Sequence, residues 1–385
     1  MRRRTNRNRQ LRSILHSPTL LRQLLNPLET ALRQTITEEK ERSWFPQFPV
    51  LAHLLAGIFF HIQQLRSLRE LVVRLDIQRQ KKQIHGFEIK RTTLSHANNS
   101  PRRLRVLRTV FSNLIASSRD LPRGWRRLRR IAALDSTLLS CVPSSEWAAY
   151  RQNVKACKGH LLFDLQRSIP KKLILTTGKV HDYRLFKHFL EVGWTYIVDR
   201  AYNAYGLFDQ MTAQGIYFVI RLKVGSVYRQ IAKHRIRRAD RERGVLHDWT
   251  VLLGQGRSQM ETPVRWVRFR AHDGNVYDYI TNRFDLSPLT IAQLYEARWA
   301  IETFFKWLKR TLRMERSLGR SAVAYEIHVL MTLIVDILLK IFAGLPPRAD
   351  HVSVQVLRII SEHLFSRFNK TLKQTLARAA VSLLC

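Results

Sequence analysis

The chain has 385 residues, and 45% of them are hydrophobic, which is enough to bury a core in two or three structural units and excludes a chain too polar to fold. Its 66 Lys and Arg residues stand against 29 Asp and Glu, so the formal net charge is +37 and the folded chain repels itself unless a polyanion neutralises it. Nucleic acid is therefore the expected partner, and composition alone does not separate an enzyme acting on nucleic acid from a ribosomal or chromosome-coating protein.

Positive charge is spread along the whole chain instead of being confined to one tail. The densest stretches are Met1 to Arg12, Arg102 to Arg130 and Arg221 to Arg243. This distribution is typical of a protein that follows the phosphates of a nucleic acid over a long surface.

The three cysteines, Cys141, Cys157 and Cys385, have neither a paired spacing nor a companion histidine pattern for zinc. They indicate a reduced, intracellular environment, and we expect neither a disulfide nor a structural metal. The basic N-terminus lacks an apolar stretch of signal-peptide length, so a cytoplasmic protein is expected.

Residues 1–125 are predicted to form a helical DNA-binding region. Pro46 and Pro49 precede the apolar stretch VLAHLLAGIFFHIQQL, Ser67 is placed to cap LRELVVRLD, and RRLRVLRTVFSNLIASS has helical spacing of apolar and basic positions. The same pattern also fits a helical subdomain whose arginine faces are merely solvated.

Residues 126–224 are predicted to form the first part of a catalytic core of the α/β class with a mixed sheet. Three strand-like runs come first, RIAALDSTLLSCV, GHLLFDLQRS and KKLILTTGKV. A helix in DYRLFKHFLEV, a buried strand in WTYIVD, a helix in AYGLFDQMTAQ and a strand in IYFVIRL follow. A three-stranded meander followed by alternating helix and strand indicates an α/β arrangement.

Residues 225–286 are predicted to be a β-rich insertion, with strand-like pieces in GVLHDWTVLL, VRWVRFRA and VYDYITN. Residues 287–320 are predicted to return to the core as a helix in SPLTIAQLYEARWAIETFFKWLKRTL, with Ser287 as its cap and a proline in its first turn.

Residues 321–385 are predicted to form a helical C-terminal region. The apolar run from Val329 to Leu345 is interrupted by Asp336 and Lys340. Charges inside an apolar run favour a buried helix over a membrane span, so we expect no association with a membrane.

Two aspartates occupy positions that invite a functional explanation. Asp135 lies inside the apolar run AALDSTLL, where burying a carboxylate is costly unless a partner or a metal compensates. Asp199 closes the strand WTYIVD, at the strand edge where open α/β sheets place their sites. If the two strands are neighbours, the carboxylates converge, although either residue alone equally fits a strand-end turn or a helix cap.

The helix after Ser287 carries a polar stripe. At about 100° per residue, Tyr295, Arg298, Glu302 and Lys309 fall within a wedge of roughly 60° on one face. A separate apolar arc allows this helix to pack on a sheet. It contains Ile301, Phe304, Phe305, Leu308 and Leu312. By itself such a stripe is usually a solvated face.

The spacing of these four residues, namely Tyr, two residues, Arg, three residues, Glu, six residues and Lys, is the signature of one transposase group. The chain resembles DDE transposases of bacterial insertion sequence family four over nearly its whole length. The resemblance includes FPVLAHLLAGIFFHIQQLRSLREL, the first Asp in LDST, the second in VDRAY, and the Glu helix followed by LRMERSLG. One departure is Ala201, which stands where Gly is commoner in relatives.

This resemblance implies a ribonuclease H-like core in which Asp135, Asp199 and Glu302 are the catalytic carboxylates and hold two divalent ions, Mg²⁺ or Mn²⁺. Carboxylate oxygens suit such ions, and paired ions stabilise an in-line phosphoryl displacement. The implied reaction is cut-and-paste transposition: hydrolysis at the ends of an insertion sequence, then strand transfer through the freed 3′-hydroxyl, with a hairpin intermediate.

The resemblance also implies how DNA is bound. Tyr295, Arg298 and Lys309 are expected to orient the scissile strand through its phosphates. The expected partners are the terminal inverted repeats and the target DNA, bound by a homodimer in the cytoplasm on the nucleoid. Trp249 and Trp266 are candidates for stacking on a flipped base, although each also fits the insertion's own small core.

Other polar residues are given structural roles, and two rival functions stay open. Asp182 is expected to cap the helix that follows it, and His160 and His181 to be hydrogen-bonded structural residues.

The first rival function is a catalytically silent nucleic-acid-binding protein, which would not need the three carboxylates. A junction-type nuclease with the same core lacks the need for the Tyr, Arg and Lys of the signature.

Overall fold

The computed structural model describes residues 19–85, 89–118, 128, 130–151, 154–343 and 354–381. Contacts along the chain divide it into two units. Unit 1 contains Met1–Pro122, Leu139–Cys157 and Phe304–Cys385, and unit 2 contains Arg123–Leu138 and Lys158–Thr303. The basic stretch from Met1 to Arg12 and the cysteine at 385 lie outside the described residues.

The described residues form helices and strands in the following order. The helices are α1 (Leu20–Thr35), α2 (Glu38–Trp44), α3 (Val50–Ile62), α4 (Leu68–Gln80), α5 (Arg91–Asn98), α6 (Pro101–Ser117), α7 (Asp182–Phe186), α8 (Tyr205–Ala213), α9 (Arg238–Glu242), α10 (Pro288–Ala297), α11 (Trp299–Arg310), α12 (Ala322–Ala343), α13 (Val354–Glu362) and α14 (Lys370–Val381). The strands are β1 (Ile131–Ser140), β2 (Ala149–Arg151), β3 (Val154–Asp164), β4 (Ile169–Thr177), β5 (Thr195–Val198), β6 (Tyr217–Arg221), β7 (Tyr228–Lys233), β8 (Val245–Leu253), β9 (Val264–Arg270) and β10 (Val276–Thr281).

Several helices of the N-terminal region begin at side-chain caps, of which the sequence indicates Ser67. The hydroxyl of Ser67 accepts the backbone N–H of Glu70 at 3.1 Å and starts α4, and Ser100 starts α6 in the same way. Such caps satisfy backbone N–H groups that have no partner within the helix. The helical character predicted for this region is confirmed in its described residues, and its binding to DNA stays a prediction.

The core of unit 1 is built around α3 and α12. Every residue of α3 is buried, and a Cβ on Gly57 would lie 2.1 Å from Met331 Sδ of α12, so a larger residue would force the Met331 side chain to move. Helix α12 is long and apolar enough to cross a membrane, but 83% of its apolar window is buried in the protein. Its buried Asp336 pairs with Lys340 at 2.9 Å. This is the buried helix that the sequence predicts.

The strands of unit 2 form one mixed sheet in the order β3-β1-β5-β6-β10-β9-β8-β7, with β4 paired to β3. Strand β5 runs parallel to both β1 and β6, whereas β10 is antiparallel to β6. Strand β2 pairs with residues 154–156 of β3 within unit 1. The predicted α/β fold class with a mixed sheet is confirmed.

The β-rich residues 225–286 extend this sheet instead of forming a separate one, because β10 bonds directly to β6. The three strands predicted there are present as β8, β9 and β10, and β7 is an additional strand. The helix predicted after Val180 is shorter than expected. It comprises α7 and the single 3₁₀ turn Lys187–Phe189.

The continuous helix predicted after Ser287 is wrong, because it breaks at Arg298. The Ser287 hydroxyl caps α10 as predicted, accepting the N–H of Thr290 at 3.1 Å. The Arg298 N–H then bonds to the Tyr295 carbonyl, three residues back, at 3.0 Å, which is tighter than an α-helical turn. Tyr295, Arg298 and Glu302 stay in contact across this break, because the Arg298 guanidinium lies 5.6 Å from the Tyr295 ring centroid and 2.5 Å from Glu302 Oε1.

Candidate active site

The backbone of unit 2 brings Asp135 and Asp199 to adjacent positions. Strands β1 and β5 are parallel neighbours, and their register ends with Leu134 opposite Val198. Asp135 follows Leu134 within β1, and Asp199 follows Val198 directly after β5. Both aspartates therefore lie at the level of the carboxyl end of β5. Open α/β sheets place their sites at this edge, because strand ends and the following loops converge there.

Arg298 and Tyr295 join these aspartates to Glu302 in one network of contacts. The two terminal nitrogens of Arg298 lie 3.4 Å from Asp135 Oδ2 and 2.5 Å from Glu302 Oε1. The Tyr295 hydroxyl donates to Asp199 Oδ1 at 3.3 Å. All five residues belong to unit 2. The break between α10 and α11 lies at Arg298, the residue that bridges two of the carboxylates.

The surroundings of Asp135 disfavour the ionised form of its carboxyl group. Burial, with a smaller contribution from the negative charges of Glu302 and Asp199, raises the pKa of the Asp135 carboxyl to about 6. The backbone N–H of Ser136, which donates to Asp135 Oδ1 at 2.8 Å, and the Arg298 cation oppose this rise in pKa. Three carboxylates within electrostatic reach of one another favour the binding of cations.

Tyr295 is held as a hydrogen-bond donor. Burial raises the pKa of its phenol to about 12, so the hydroxyl keeps its proton at neutral pH. Its ring lies 4.7 Å from that of Tyr279 on β10. The residues that extend the sheet therefore help to fix the tyrosine that contacts Asp199.

Lys309, the last residue of the sequence signature, belongs to unit 1 and is absent from the contacts described above. It lies in the last turn of α11, and its ammonium group is 3.1 Å from Glu315 Oε1. Its contact with DNA stays a prediction.

The three carboxylates present only oxygen donors, which are the ligands that hard divalent ions such as Mg²⁺ prefer. As they are placed, no three ligand side chains among the described residues stand close enough to hold one ion. Arg298 lies between Asp135 and Glu302 instead. The donor set fits a divalent ion, and holding one would require Arg298 to release at least one of its two carboxylates.

A fourth carboxylate, Asp182, lies near the network, and the prediction that it caps a helix is wrong. It is the first residue of α7, and His181 occupies the cap position without a side-chain bond. Burial opposes ionisation of Asp182, but hydrogen bonds from His160 and Ser136 and the charge of Lys158 lower its pKa to about 2. The sequence signal for this residue is only its place beside His181.

The tryptophans are placed differently from the expectation for base stacking. Trp266 is 5% exposed, and its indole N–H donates to Asp278 at 2.8 Å, so its candidacy as a stacking residue is wrong. Trp249 packs against it edge to face, with ring centroids 5.4 Å apart. Trp299, which sequence reasoning passed over, is 56% exposed and immediately follows Arg298.

Comparison with known proteins places the chain among transposases. The family model described as "Transposase DDE domain" matches residues 126–336. The protein y4zB of Sinorhizobium fredii, named as a transposase, is 28% identical over 70% of this chain and 76% of its own length. The transposase assigned to insertion sequence element IS5377 of Geobacillus stearothermophilus is 26% identical over 66% of this chain and 68% of its own length.

A more distant likeness comes from a solved structure, the piggyBac transposase synaptic complex with hairpin DNA. It covers 94% of this chain and 82% of that one, with a TM-score of 0.43 and 10% identity. At this distance the likeness establishes neither fold nor function.

The family match spans β1 to the middle of α12, and therefore includes the carboxylate network. Transposases of this family use divalent metal ions and act on DNA. The chain belongs to the family of transposases with a DDE domain, and is a DNA-cleaving and strand-transferring phosphoryl transferase.

Proposed function

We propose that the chain moves an insertion sequence by cut-and-paste transposition, with Asp135, Asp199 and Glu302 as its catalytic carboxylates. The observation that carries this assignment is that Arg298 and Tyr295 together contact all three of them within unit 2. Asp135 and Glu302 pair with the Arg298 cation, and Asp199 accepts the Tyr295 hydroxyl. Carboxylates joined by such contacts are suitable ligands for a cationic cofactor once Arg298 releases them.

The same three carboxylates would hold two Mg²⁺ or Mn²⁺ ions. Such ions stabilise the charge that develops on the attacking and leaving oxygens of a phosphoryl transfer. The protein contributes by gathering Asp135 and Asp199 at one strand edge and by fixing Glu302 on α11. The proposed sequence is hydrolysis at the element's end and then attack by the freed 3′-hydroxyl on target DNA.

Arg298, Tyr295 and Lys309 would orient the scissile strand. A guanidinium can bind phosphate through two parallel hydrogen bonds, and a phenol and an ammonium add further donors. In this proposal Arg298 exchanges a carboxylate partner for a DNA phosphate. That exchange frees the carboxylate when the substrate is in place.

A basic segment of unit 2 would hold DNA outside the reaction centre. All six residues of β7 at the sheet edge are exposed, and three exposed arginines follow between β7 and the first residue of α9. The arginines and lysine include Arg229, Lys233, Arg235, Arg237 and Arg238. Such a surface neutralises phosphates without reading sequence. Because two ends must be cut together, we propose a homodimer on DNA, in the cytoplasm on the nucleoid.

A hairpin intermediate would require a base to leave the helix, and an exposed aromatic side chain can hold it by stacking. Trp299 is the proposed stacking residue. It is the first residue of α11, three positions before Glu302, so the two side chains lie on neighbouring turns of one helix face.

The test is cleavage of DNA that carries the element's terminal inverted repeats, in Mg²⁺, by the wild type and by D135A, D199A and E302A. We expect each variant to bind the repeats and to lose cleavage, because each removes an ion ligand. Hairpin products would be resolved on a denaturing gel. Asp209→Ala is the matched control, since its carboxylate instead accepts backbone N–H groups of residues 261 and 262.

Undiminished cleavage by any of the three variants removes that residue from the site. Cleavage without strand transfer by the wild type would identify a junction-type nuclease. DNA binding without cleavage at any metal concentration would identify a silent binding protein.

A further inference from the structure

Asp182 is held rigidly beside the catalytic carboxylates by two buried side chains. Its Oδ1 lies 3.3 Å from Lys158 Nζ and 3.2 Å from His160 Nδ1. The side chains of Lys158 and His160 are only 9% and 1% exposed. A buried ammonium group that loses its carboxylate is strongly unfavourable, so the pair keeps Asp182 where it is.

Both partners of Asp182 are themselves fixed. Lys158 Nζ also donates to the Val180 carbonyl at 3.0 Å, and the other ring nitrogen of His160 lies 2.9 Å from Thr176 Oγ1 on β4. The cluster therefore connects β3, β4 and the start of α7. None of these residues belongs to the proposed ion ligands.

Ser136 connects this cluster to the reaction centre. Its side chain is close enough to lower the pKa of the Asp182 carboxyl, and its backbone N–H donates to Asp135 Oδ1 at 2.8 Å. Ser136 therefore interacts with both carboxylates, and its position depends on that of Asp182.

A second observation comes from Tyr202, three residues after Asp199. Its side chain is 2% exposed, and its hydroxyl has no hydrogen-bond partner among the described residues. Burial and the charges of Asp182, Asp135 and Asp199 raise the pKa of this phenol, so it lies within electrostatic reach of all three carboxylates. A buried donor without an acceptor is costly, so the hydroxyl favours a nearby carboxylate as its acceptor.

We propose that Asp182 is a positioning residue, which fixes the orientation of the Asp135 carboxylate through Ser136 so that Asp135 can bind a divalent ion. The proposal rests on the proposed function of Asp135. Asp182 is not itself a ligand, because Lys158 already pairs its charge. Partners of metal-ligating carboxylates restrict their orientation, and losing one weakens metal binding about 10- to 100-fold.

The experiment measures Mn²⁺ binding to the protein–DNA complex by electron paramagnetic resonance, together with the metal concentration for half-maximal cleavage. For Asp182→Asn we expect both midpoints to rise about 10-fold or more, with the maximal rate at saturating metal recovering and DNA affinity unchanged. Ser136→Ala removes the connecting hydroxyl and keeps the cluster, so it should raise the midpoints by a smaller factor.

Two further proteins separate positioning from folding. The single variant Asp182→Asn leaves the buried Lys158 ammonium group without its carboxylate. The double variant Asp182→Asn with Lys158→Met also removes that ammonium group, and should show the same metal midpoint as Asp182→Asn. Asp209→Asn changes a carboxylate outside this cluster, and should behave as the wild type in both assays.

Midpoints within about twofold of wild type in both Asp182→Asn and Ser136→Ala would overturn the proposal, because the expected effect of such partners is far larger. Complete loss of Mn²⁺ binding in Asp182→Asn, equal to that of D135A, would also overturn it and make Asp182 a ligand. Failure of the proposed function is distinct: D135A would then bind Mn²⁺ and cleave as the wild type does.

Discussion

The free-energy cost of burying the Asp135 carboxylate in an apolar strand is offset by hydrogen bonds and charges from neighbouring residues. The four residues of β1 before it are 1% exposed or less, whereas residues 135–138 are half-buried. Ser136 donates a backbone N–H to its carboxylate and Arg298 supplies a positive charge. Asp135 is thus the first half-buried residue of β1, where a carboxylate can be both fixed and reached by a substrate.

The exposed indole of Trp299 gives a prediction at this scale. Trp299→Ala should reduce hairpin formation on the terminal repeats by about 10-fold, because stacking on one base contributes about 1–3 kcal/mol. Trp299→Phe should retain most of the activity. The measurement is hairpin yield on a denaturing gel, with 2-aminopurine fluorescence at the terminal bases as a direct signal of unstacking.

Trp44→Ala serves as the control, since Trp44 is also exposed, at 36%, but lies in α2 of unit 1. If Trp299→Ala formed hairpins at the wild-type rate, with unchanged 2-aminopurine signal, another residue would have to hold the flipped base.

At the scale of elements, the break between α10 and α11 determines where the cation of the site lies. An unbroken helix would carry Arg298 and Glu302 one turn apart along a single straight face. With the tighter turn at Arg298, its side chain keeps the contact with Glu302 on α11 and also contacts Asp135 on β1. The helix break and the salt bridges therefore belong to the same local arrangement.

This arrangement predicts the effect of Arg298→Ala. DNA affinity should stay within about an order of magnitude of wild type, because one of many phosphate contacts is lost, while cleavage falls by about 100-fold or more because the scissile phosphate is no longer positioned. Affinity is measured by gel shift and cleavage under single-turnover conditions.

Arg283→Ala is the matched control for that measurement. Its guanidinium is as buried as that of Arg298, at 13% exposure, and also pairs with a carboxylate, Asp285 at 2.7 Å. Equal losses of affinity and cleavage in Arg298→Ala would show that the residue supplies charge only.

The sheet extension shows a limit of strand patterns. Strands β8, β9 and β10 are visible in the sequence because they have buried apolar residues. Strand β7 is exposed at all six positions and lies at the sheet edge. Its pairing with β8 comes from backbone hydrogen bonds, which leave no mark in the pattern of side chains.

At the scale of the whole molecule, burial of histidines in unit 1 couples stability to pH. Burial lowers the pKa of His53 to about 3 and that of His328 to about 4, and burial with the charge of His328 lowers the pKa of His61 well below its usual value. The groups facing them are Asn98 and Arg103 at His53, and the carbonyls of Leu312 and Arg313 at the other two.

The folded protein should therefore lose stability as the pH falls below 6.5. There the unfolded chain takes up three protons on His53, His61 and His328 that the folded chain does not bind, whereas burial of Asp135 offsets one of them. A net of two protons corresponds to a free energy of unfolding that falls by about 3 kcal/mol per pH unit. The measurement is urea unfolding of the DNA-free protein at pH 7, 6 and 5.

The double variant His61→Gln with His328→Gln should flatten this dependence, and His272→Gln, at an exposed position, should leave it unchanged. A slope in the double variant equal to that of the wild type would assign the acid sensitivity to other groups.

The sequence by itself determined much about this protein. Hydrophobic periodicity indicated the helical N-terminal region and the order of strands and helices in the core, because the spacing of apolar residues differs between helices and strands. Net charge indicated the nucleic-acid partner. Asp135 and Asp199 were indicated by their places in and directly after apolar strands, and Glu302 by the resemblance to DDE transposases.

Tertiary structure alone decided the rest. Contacts between residues far apart in the chain determine that β10 pairs with β6 and that Arg298 reaches Asp135 as well as Glu302. They also determine that Asp182 pairs with Lys158. A local pattern records which side chains are buried, but not which partners they meet. The pairing of charges in the site is therefore set by strand register and helix packing, which exist only once the chain is folded.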